Sequence, residues 1–400
     1  MSLKSTFDAQ MSLYALPEKV PLAVGVSGGA DSMALAVLLK NWAHKNAHPL
    51  VAVTVDHQLR PESVTEARFV ATQMKNLGIE HHILTWEGKK PATRIEERAR
   101  EARYHLLADF CAPRGIRYLC IAHHSSDQAE TFLSRLARGS GVDGLAAMKP
   151  LATRGNLTVL RPLLSCHKSQ MYDLLANQRL NWVNDPMNED ENFERVRWRK
   201  NLKVLEQLGL PLNAINTSAK RLARAAKALQ FYTEDFIQNH VTIDSRGFAL
   251  INKDAFHAQP EEIRIRTMGA LIETIGQSGK ALPYAALEKT VERLPQKATL
   301  GSCHIISHKH GIFIAKEAAR MPAGTKVKAG QKTKWDRFYI IANRDGFIKA
   351  HVPEVKEKGI PFLVQQSFPY FSLEKNAKLD YKELATYIEL HIEFLPQNKG

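Results

Sequence analysis

Through the first third of the chain, short apolar runs alternate with stretches whose apolar positions return every three or four residues. Residues 22–26, 50–55, 81–85 and 117–122 are rich in β-branched and apolar side chains and end at turn or polar residues, which predicts strands. Between them, residues 32–45, 62–77, 93–111 and 127–138 carry the helical period. Strand and helix alternating in this way predict βαβ units and an α/β fold with a doubly wound parallel sheet. Such sheets bind ligands beyond the carboxyl ends of their strands. Candidate chemistry is therefore sought just after each predicted strand.

Beyond residue 160 the alternation weakens. Residues 165–179 read as a helix, 184–192 as an acidic, amide-rich loop, and 193–208 as an arginine-dense helix. Leu208-Gly209-Leu210-Pro211-Leu212 is punctuated as a boundary. A long basic helix is predicted over 213–239, followed by helices mixed with short β-like segments. The Gly- and Lys-rich stretch 324–334 reads as a loop or second linker. Three regions are expected: a catalytic domain over 1–210, a helical and mixed domain over 211–323, and a small α+β region over 324–400.

Composition changes this picture little. At 400 residues, with 44% hydrophobic and 24% charged side chains, the chain is globular and long enough for more than one core. No apolar run approaches a membrane span, and no secretory pattern opens the sequence, so a cytoplasmic protein without membrane partners is expected. The four cysteines (Cys111, Cys120, Cys166, Cys303) form no C-x-x-C pair and match no zinc spacing. Charge adds more. Fifty-five Lys and Arg against 41 Asp and Glu give +14, which raises the expectation of a polyanionic partner without establishing one.

The sharpest local feature is Ser27-Gly28-Gly29-Ala30-Asp31-Ser32, directly after the first predicted strand and opening a helix. Gly28 and Gly29 can take backbone angles closed to other residues and let a phosphate approach the main chain. The loop N–H groups and the helix start then point at that phosphate. Ser27 and Ser32 add hydroxyl donors, and Asp31 can cap the helix or help hold Mg²⁺. No lysine follows the glycines, so this is not a Walker A loop.

After the fourth strand comes Ala122-His123-His124-Ser125-Ser126-Asp127-Gln128-Ala129-Glu130-Thr131. Asp127 and Glu130, three apart, share one face at the start of a helix. That pair could bind an ammonium group, coordinate Mg²⁺ or complement the helix dipole. Arg138-Gly139-Ser140-Gly141-Val142-Asp143-Gly144-Leu145 follows and, taken alone, reads as a helix end and turn.

The 27–32 loop resembles that of the ATP pyrophosphatases. The ordered set around it, with Val55-Asp56-His57-Gln58-Leu59-Arg60, Arg161-Pro162-Leu163-Leu164, Asp185-Pro186-Met187-Asn188 and Arg195, Arg197, Arg199, resembles the tRNA(Ile)-lysidine synthetases over half the chain. The family's usual D-D-Q reads Ser126-Asp127-Gln128 here, which removes the first aspartate and leaves Asp127 and Glu130 in place.

The resemblance implies a PP-loop fold and conversion of the wobble cytidine of the isoleucine tRNA with a CAU anticodon to lysidine, using ATP, Mg²⁺ and free L-lysine. It implies ATP binding by Ser27, Gly28, Gly29, Ala30, Asp31, Ser32, His57 and Arg60, and lysine binding by Asp127 and Glu130. It makes Asp31, Asp127 and Glu130 the catalytic set, with Asp31 also on Mg²⁺. RNA contacts fall to Arg195, Arg197 and Arg199, joined by Arg221 and Arg224 on a basic helix face. A homodimer is compatible with the sequence. The competing expectations are a sulfur-inserting tRNA thiolase with the same ATP loop and an idle RNA-binding protein on this fold.

Overall fold

A computed structural model describes residues 2–59, 62–88, 90, 93, 95–184, 194–279, 281–294, 297–336, 338–342, 346–350, 359–372 and 388–392. The chain divides into two compact units, Met1–Ala226 and Lys227–Gly400.

The first unit opens with helix α1 (Leu3–Leu13) and continues through β1 (Leu22–Gly25), α2 (Ala30–Lys45), β2 (Leu50–Asp56), α3 (Ser63–Asn76), β3 (Glu80–Thr85), α4 (Ile95–Cys111) and β4 (Tyr118–Cys120). It then runs through α5 (Ser125–Ala137), α6 (Val142–Leu145), β5 (Leu151–Arg154), β6 (Leu157–Leu160), α7 (Lys168–Asn177), α8 (Glu194–Gln207) and the start of α9 (Leu212–His240). The sheet order is β3-β2-β1-β4-β6-β5. Pairing is parallel except at β5–β6, an antiparallel hairpin on the edge. The α/β fold with a parallel sheet expected from the alternation is thus present, and the chain winds outward in both directions from β1.

Both faces of the sheet are covered, which is why its strands read as continuous apolar runs rather than alternating ones. Leu22 and Val24 of β1 face α1, α2, α3 and α7 in a core with Phe7, Met33, Leu35, Leu39 and Met74. Ala23 points the other way, into a core with Leu107 and Phe110 of α4 and Val51, Val53, Leu119 and Val159. A smaller apolar cluster joins Ala129 and Leu133 of α5 to Trp198, Leu202 and Leu205 of α8 and Ile215 of α9. It carries α8 onto α5.

The β5–β6 hairpin has no counterpart among the predicted strands. Each arm is four residues long and Gly155 turns between them at φ +56°. So short a pair, beginning past a Gly-rich loop, has no periodicity to read.

The second unit, by itself, contains a five-stranded antiparallel sheet in the order β7-β8-β11-β10-β9. Its strands are β7 (Val241–Ile243), β8 (Phe248–Ile251), β9 (Lys297–Leu300), β10 (Cys303–His308) and β11 (Gly311–Lys316). Helices α10 (Lys253–His257), α11 (Glu261–Gly276) and α12 (Tyr284–Arg293) contribute Phe256, Ile263, Met268, Ile272, Leu287 and Val291 to its core. Two three-stranded sheets follow. Strand β12 (Thr325–Val327) lies inside the stretch expected as a loop or linker, and β13 (Lys332–Trp335) overlaps its end. β12 pairs with the strand Gly346–Ala350 and β13 with the next strand, Phe338–Ala342, so cross-strand partners impose the β conformation there.

Candidate active site

The parallel sheet changes winding direction between β1 and β4, and the segments leaving those two strands meet at their carboxyl ends. From β1 comes the 27–32 loop. Gly28 has φ +88° and is buried, and a Cβ there would lie 3.0 Å from Val70 Cγ2 and 3.4 Å from Val183 Cγ2. Glycine is required twice over, by the backbone angle and by the space. The Gly28 carbonyl accepts from the Val183 N–H at 2.9 Å, which ties the loop to the segment after α7. Ser32 Oγ turns back, accepting from the Ser27 N–H at 3.1 Å and donating to the Gly29 carbonyl at 2.9 Å. Gly29 caps α2 without a side chain, so the first N–H groups of the helix keep their capacity to bind an anion.

Asp31 sits in the first turn of α2. Its Oδ2 is 3.5 Å from His124 Nε2, while Oδ1 is buried and has no hydrogen-bond partner. His124 is 2% exposed and caps α5. Its Nδ1 accepts from the Ser126 N–H at 3.2 Å, which leaves the proton on Nε2, facing Asp31. The His124 N–H in turn donates to Asp127 Oδ2 at 2.9 Å. One histidine therefore joins the aspartate of the loop to the aspartate of α5. Ser126, where the family pattern has an acid, presents its N–H to this cap.

Asp127 and Glu130 lie on the same face of α5, as the spacing predicts. Burial works against charging Asp127, but His124 and His123 and the His124 N–H outweigh it and hold the carboxyl below its usual value. Glu130 is 1% exposed, and both its oxygens accept from Arg199, Nε to Oε1 at 2.8 Å and Nη2 to Oε2 at 3.2 Å. Burial pushes the Glu130 carboxyl above its usual value despite this fork. Arg199 Nη2 also approaches Asp127 Oδ1 at 4.0 Å. The sequence groups Arg199 with Arg195 and Arg197 as expected RNA contacts. The structure puts its guanidinium on Glu130, because the α5–α8 contact turns that side of α8 inward. Ser134 Oγ donates to Glu194 at 2.6 Å at the start of α8 and fixes the docking.

Arg161 of the R-P-L-L motif, 5% exposed, donates from Nε to His123 Nδ1 at 3.2 Å and from Nη1 to the Lys149 carbonyl at 2.8 Å. Burial keeps His123 neutral, with a pKa down to about 4. Gln128 clamps the Gly-rich loop onto α5, donating to the Met148 carbonyl at 2.9 Å and accepting the Met148 N–H at 2.7 Å. Arg161 and Gln128 stand in quoted motifs, but their structural duties depend on partners that no local pattern specifies.

His57, after β2, packs edge-on to Trp86 and accepts from Arg103 Nε at 3.4 Å. Burial lowers its pKa to about 4. Arg60 lies outside the described residues, as does the Asp185-Pro186-Met187-Asn188 motif. Arg195 and Arg197 on α8, and Arg221 and Arg224 on α9, are exposed.

A glycine loop at a helix N-terminus, placed at the switch point beside a carboxylate pair, defines a nucleotide-handling α/β domain, and residues 3–206 match the model of the PP-loop domain family. The chain is 38% identical over 350 residues to the tRNA(Ile)-lysidine synthase of Wolbachia pipientis wMel, covering 85% of this chain and 81% of that one. It is 39% identical over 301 residues to the tRNA(Ile)-lysidine synthase of Bradyrhizobium sp. (strain BTAi1 / ATCC BAA-1182), covering 72% and 84%. The chain belongs to the tRNA(Ile)-lysidine synthase family. Among solved structures it resembles the U34-tRNA thiolase NcsA from Methanococcus maripaludis with a TM-score of 0.49 at 18% identity, over 56% of this chain and 78% of that one.

Proposed function

We propose that this chain ligates the ε-amine of free lysine to C2 of the wobble cytidine, position 34, of the CAU-anticodon isoleucine tRNA, with ATP cleaved to AMP and pyrophosphate. The observation that carries the reading is the His124 bridge. It sets Asp31 of the 27–32 loop, 3.5 Å from the ring, and Asp127, which accepts from the backbone N–H, on one residue. A reaction that first activates an oxygen and then admits an amine needs that adjacency.

The 2-oxo group of cytosine is a poor leaving group. Transfer of AMP to that oxygen, with pyrophosphate leaving, makes C2 electrophilic, and the amine then displaces AMP. The backbone N–H groups of Gly28, Gly29 and Ala30 and the dipole of α2 hold the nucleotide phosphates, with Ser27 and Ser32 as supporting hydroxyls. Asp31 would hold Mg²⁺ through its unpartnered Oδ1, which suits a cation bound by few carboxylates together with phosphates. That ion supplies charge neutralisation on the phosphates. His57, neutral at physiological pH, lines the nucleotide side, where Arg60 is also assigned.

Asp127 keeps one oxygen on the His124 N–H and aims the other at the lysine ammonium, orienting the amine for attack once it is deprotonated. Glu130, fixed by Arg199, completes the negative wall of the lysine site. Arg195, Arg197, Arg221 and Arg224 carry the RNA backbone, and the target base leaves its stack to enter. The cytoplasm, where the tRNA substrate resides, is the assigned location. Among the described residues no helix is long and apolar enough to cross a membrane.

Sulfur insertion is disfavoured by the thiols. All four cysteines are buried, and burial pushes Cys111 and Cys166 up to about 11 and Cys120 to about 12, so none of these three offers a ready thiolate. The test is incorporation of radiolabelled lysine into a cytidine-34 isoleucine tRNA transcript, with and without ATP. ATP-dependent transfer is expected. Its absence under saturating Mg-ATP would overturn the proposal.

A further inference from the structure

Next to the carboxylate site, Arg100 and Arg154 stack on one tyrosine, and the charges of Arg103 and Arg195 bear on Arg100. Arg100 and Arg103 come from α4, Arg154 from β5 and Arg195 from α8. Tyr104, 9% exposed, lies beneath the guanidinium groups of Arg154 and Arg100, at 4.2 and 5.6 Å from its ring centroid. Arg103 Nε donates to His57 at 3.4 Å, so the group borders the nucleotide side. The charge of Arg195 reaches both His123 and Asp127, so it borders the lysine side as well.

Among the described residues, no carboxylate pairs with any of the four. Guanidinium groups do not relieve crowding by losing a proton. Burial, together with the charges of the other arginines, holds Arg100 below its usual value. Structural arginines are ordinarily matched by acids, so a cluster with none among its described neighbours is suited to take up an external anion.

We infer that Arg100, Arg103, Arg154 and Arg195 form a phosphodiester clamp for the RNA strand on either side of the nucleotide being modified. This rests on the proposed tRNA reaction and adds the residues that seat the target. Two features favour an RNA strand over a free phosphate or pyrophosphate. Arg103, Arg154 and Arg195 are exposed, so the cluster opens outward and does not close around a small ion. Its charges are also distributed over three elements, as successive backbone phosphates require, while the 27–32 loop already provides a separate cradle for nucleotide phosphates. Arg195, Arg197 and Arg199, read from sequence as one RNA-facing run, divide accordingly. Arg195 joins the clamp and Arg199 joins Glu130.

The test compares wild type with Arg100→Gln/Arg154→Gln in steady-state lysine transfer to an anticodon stem-loop RNA. The expected result is a rise in RNA KM of about 10- to 100-fold and a fall of about two in the slope of log affinity against log salt, about one per charge removed. The KM values for ATP and lysine stay within about twofold. An RNA with methylphosphonate linkages flanking position 34 should bind the wild type about tenfold or more weaker than unmodified RNA, and the double variant nearly equally. Arg154→Gln alone, at an exposed position, serves if the double variant does not fold, with a salt slope lower by about one.

Unchanged RNA KM and salt slope would overturn the inference. So would a selective rise in ATP KM or relief of pyrophosphate inhibition, which would assign the cluster to the leaving group. Wild type that binds the RNA with the expected slopes but transfers no lysine would refute the proposed reaction and leave the clamp standing. Normal transfer with no change in the variants would do the reverse.

Discussion

The two halves of the site are built in opposite ways. The 27–32 loop closes within six residues, through the left-handed Gly28, the Ser27–Ser32 contact and the bare N-terminus of α2. The carboxylate half is assembled from afar. Asp127 and Glu130 on α5 depend on Asp31 from α2, on Arg199 69 residues along the chain and on Arg161 acting through His123. A locally closed site is fixed once its strand and helix form. A site assembled over distance inherits the precision of every packing contact beneath it, here the apolar seam of α5, α8 and α9.

The two halves separate most sharply at Asp127. Asp127→Ala is expected to lower lysine transfer by about 10³-fold, within the range for loss of a positioned acid–base group, while ATP affinity changes little. Lysine transfer and ATP KM measured together check this, and equal damage to both would merge the two halves into one. Gly28→Ala attacks the other half. A Cβ at positive φ and 3.0 Å from Val70 costs about 1–2 kcal/mol locally, so a rise in ATP KM of roughly tenfold is expected with lysine KM unchanged.

Arg199→Ala should destabilise the first unit by about 1–3 kcal/mol, less than a fully enclosed pair because the Arg199 side chain is 32% exposed. Adding Glu130→Gln should return part of that loss. Denaturant melts of the four proteins measure the coupling, and additive losses would show that the fork is not an energetic unit.

Much of the nucleotide half was legible in the sequence because its determinants are local. Strand period, glycine pair and helix start lie side by side and point to one chemistry. The same holds for the parallel sheet, whose strands and helices sit close to their predicted spans. The carboxylate half was legible only as to residue type. The spacing of Asp127 and Glu130 placed them on one face, but nothing adjacent marked Glu130 as the partner of Arg199 or His124 as the link to Asp31. The β5–β6 hairpin and strands β12 and β13 escaped notice for a related reason. Each is short and takes its conformation from a partner rather than from its own period.

A smaller effect concerns pH. His57 and His123 have folded-state pKa values near 4 against an ordinary 6.5. The unfolded chain therefore binds protons that the folded chain refuses. Their stabilising contribution is complete above pH 6.5 and declines as pH falls towards 4. Replacing either by glutamine should flatten that part of the stability profile in urea melts at stepped pH. An unchanged slope would mean that the imidazoles are not held neutral by burial.

In the proposed reaction the loop activates the cytidine and the carboxylate pair then admits lysine. Single-turnover reactions with α-labelled ATP and the tRNA transcript, run with wild type and Asp127→Ala, test it directly. The expected result is a labelled tRNA adenylate that accumulates on Asp127→Ala and, in wild type, is discharged on adding lysine. Wild-type rates of lysine transfer by Asp127→Ala, or failure of the variant to form any adenylate while its ATP binding is intact, would contradict the division of labour between the two halves.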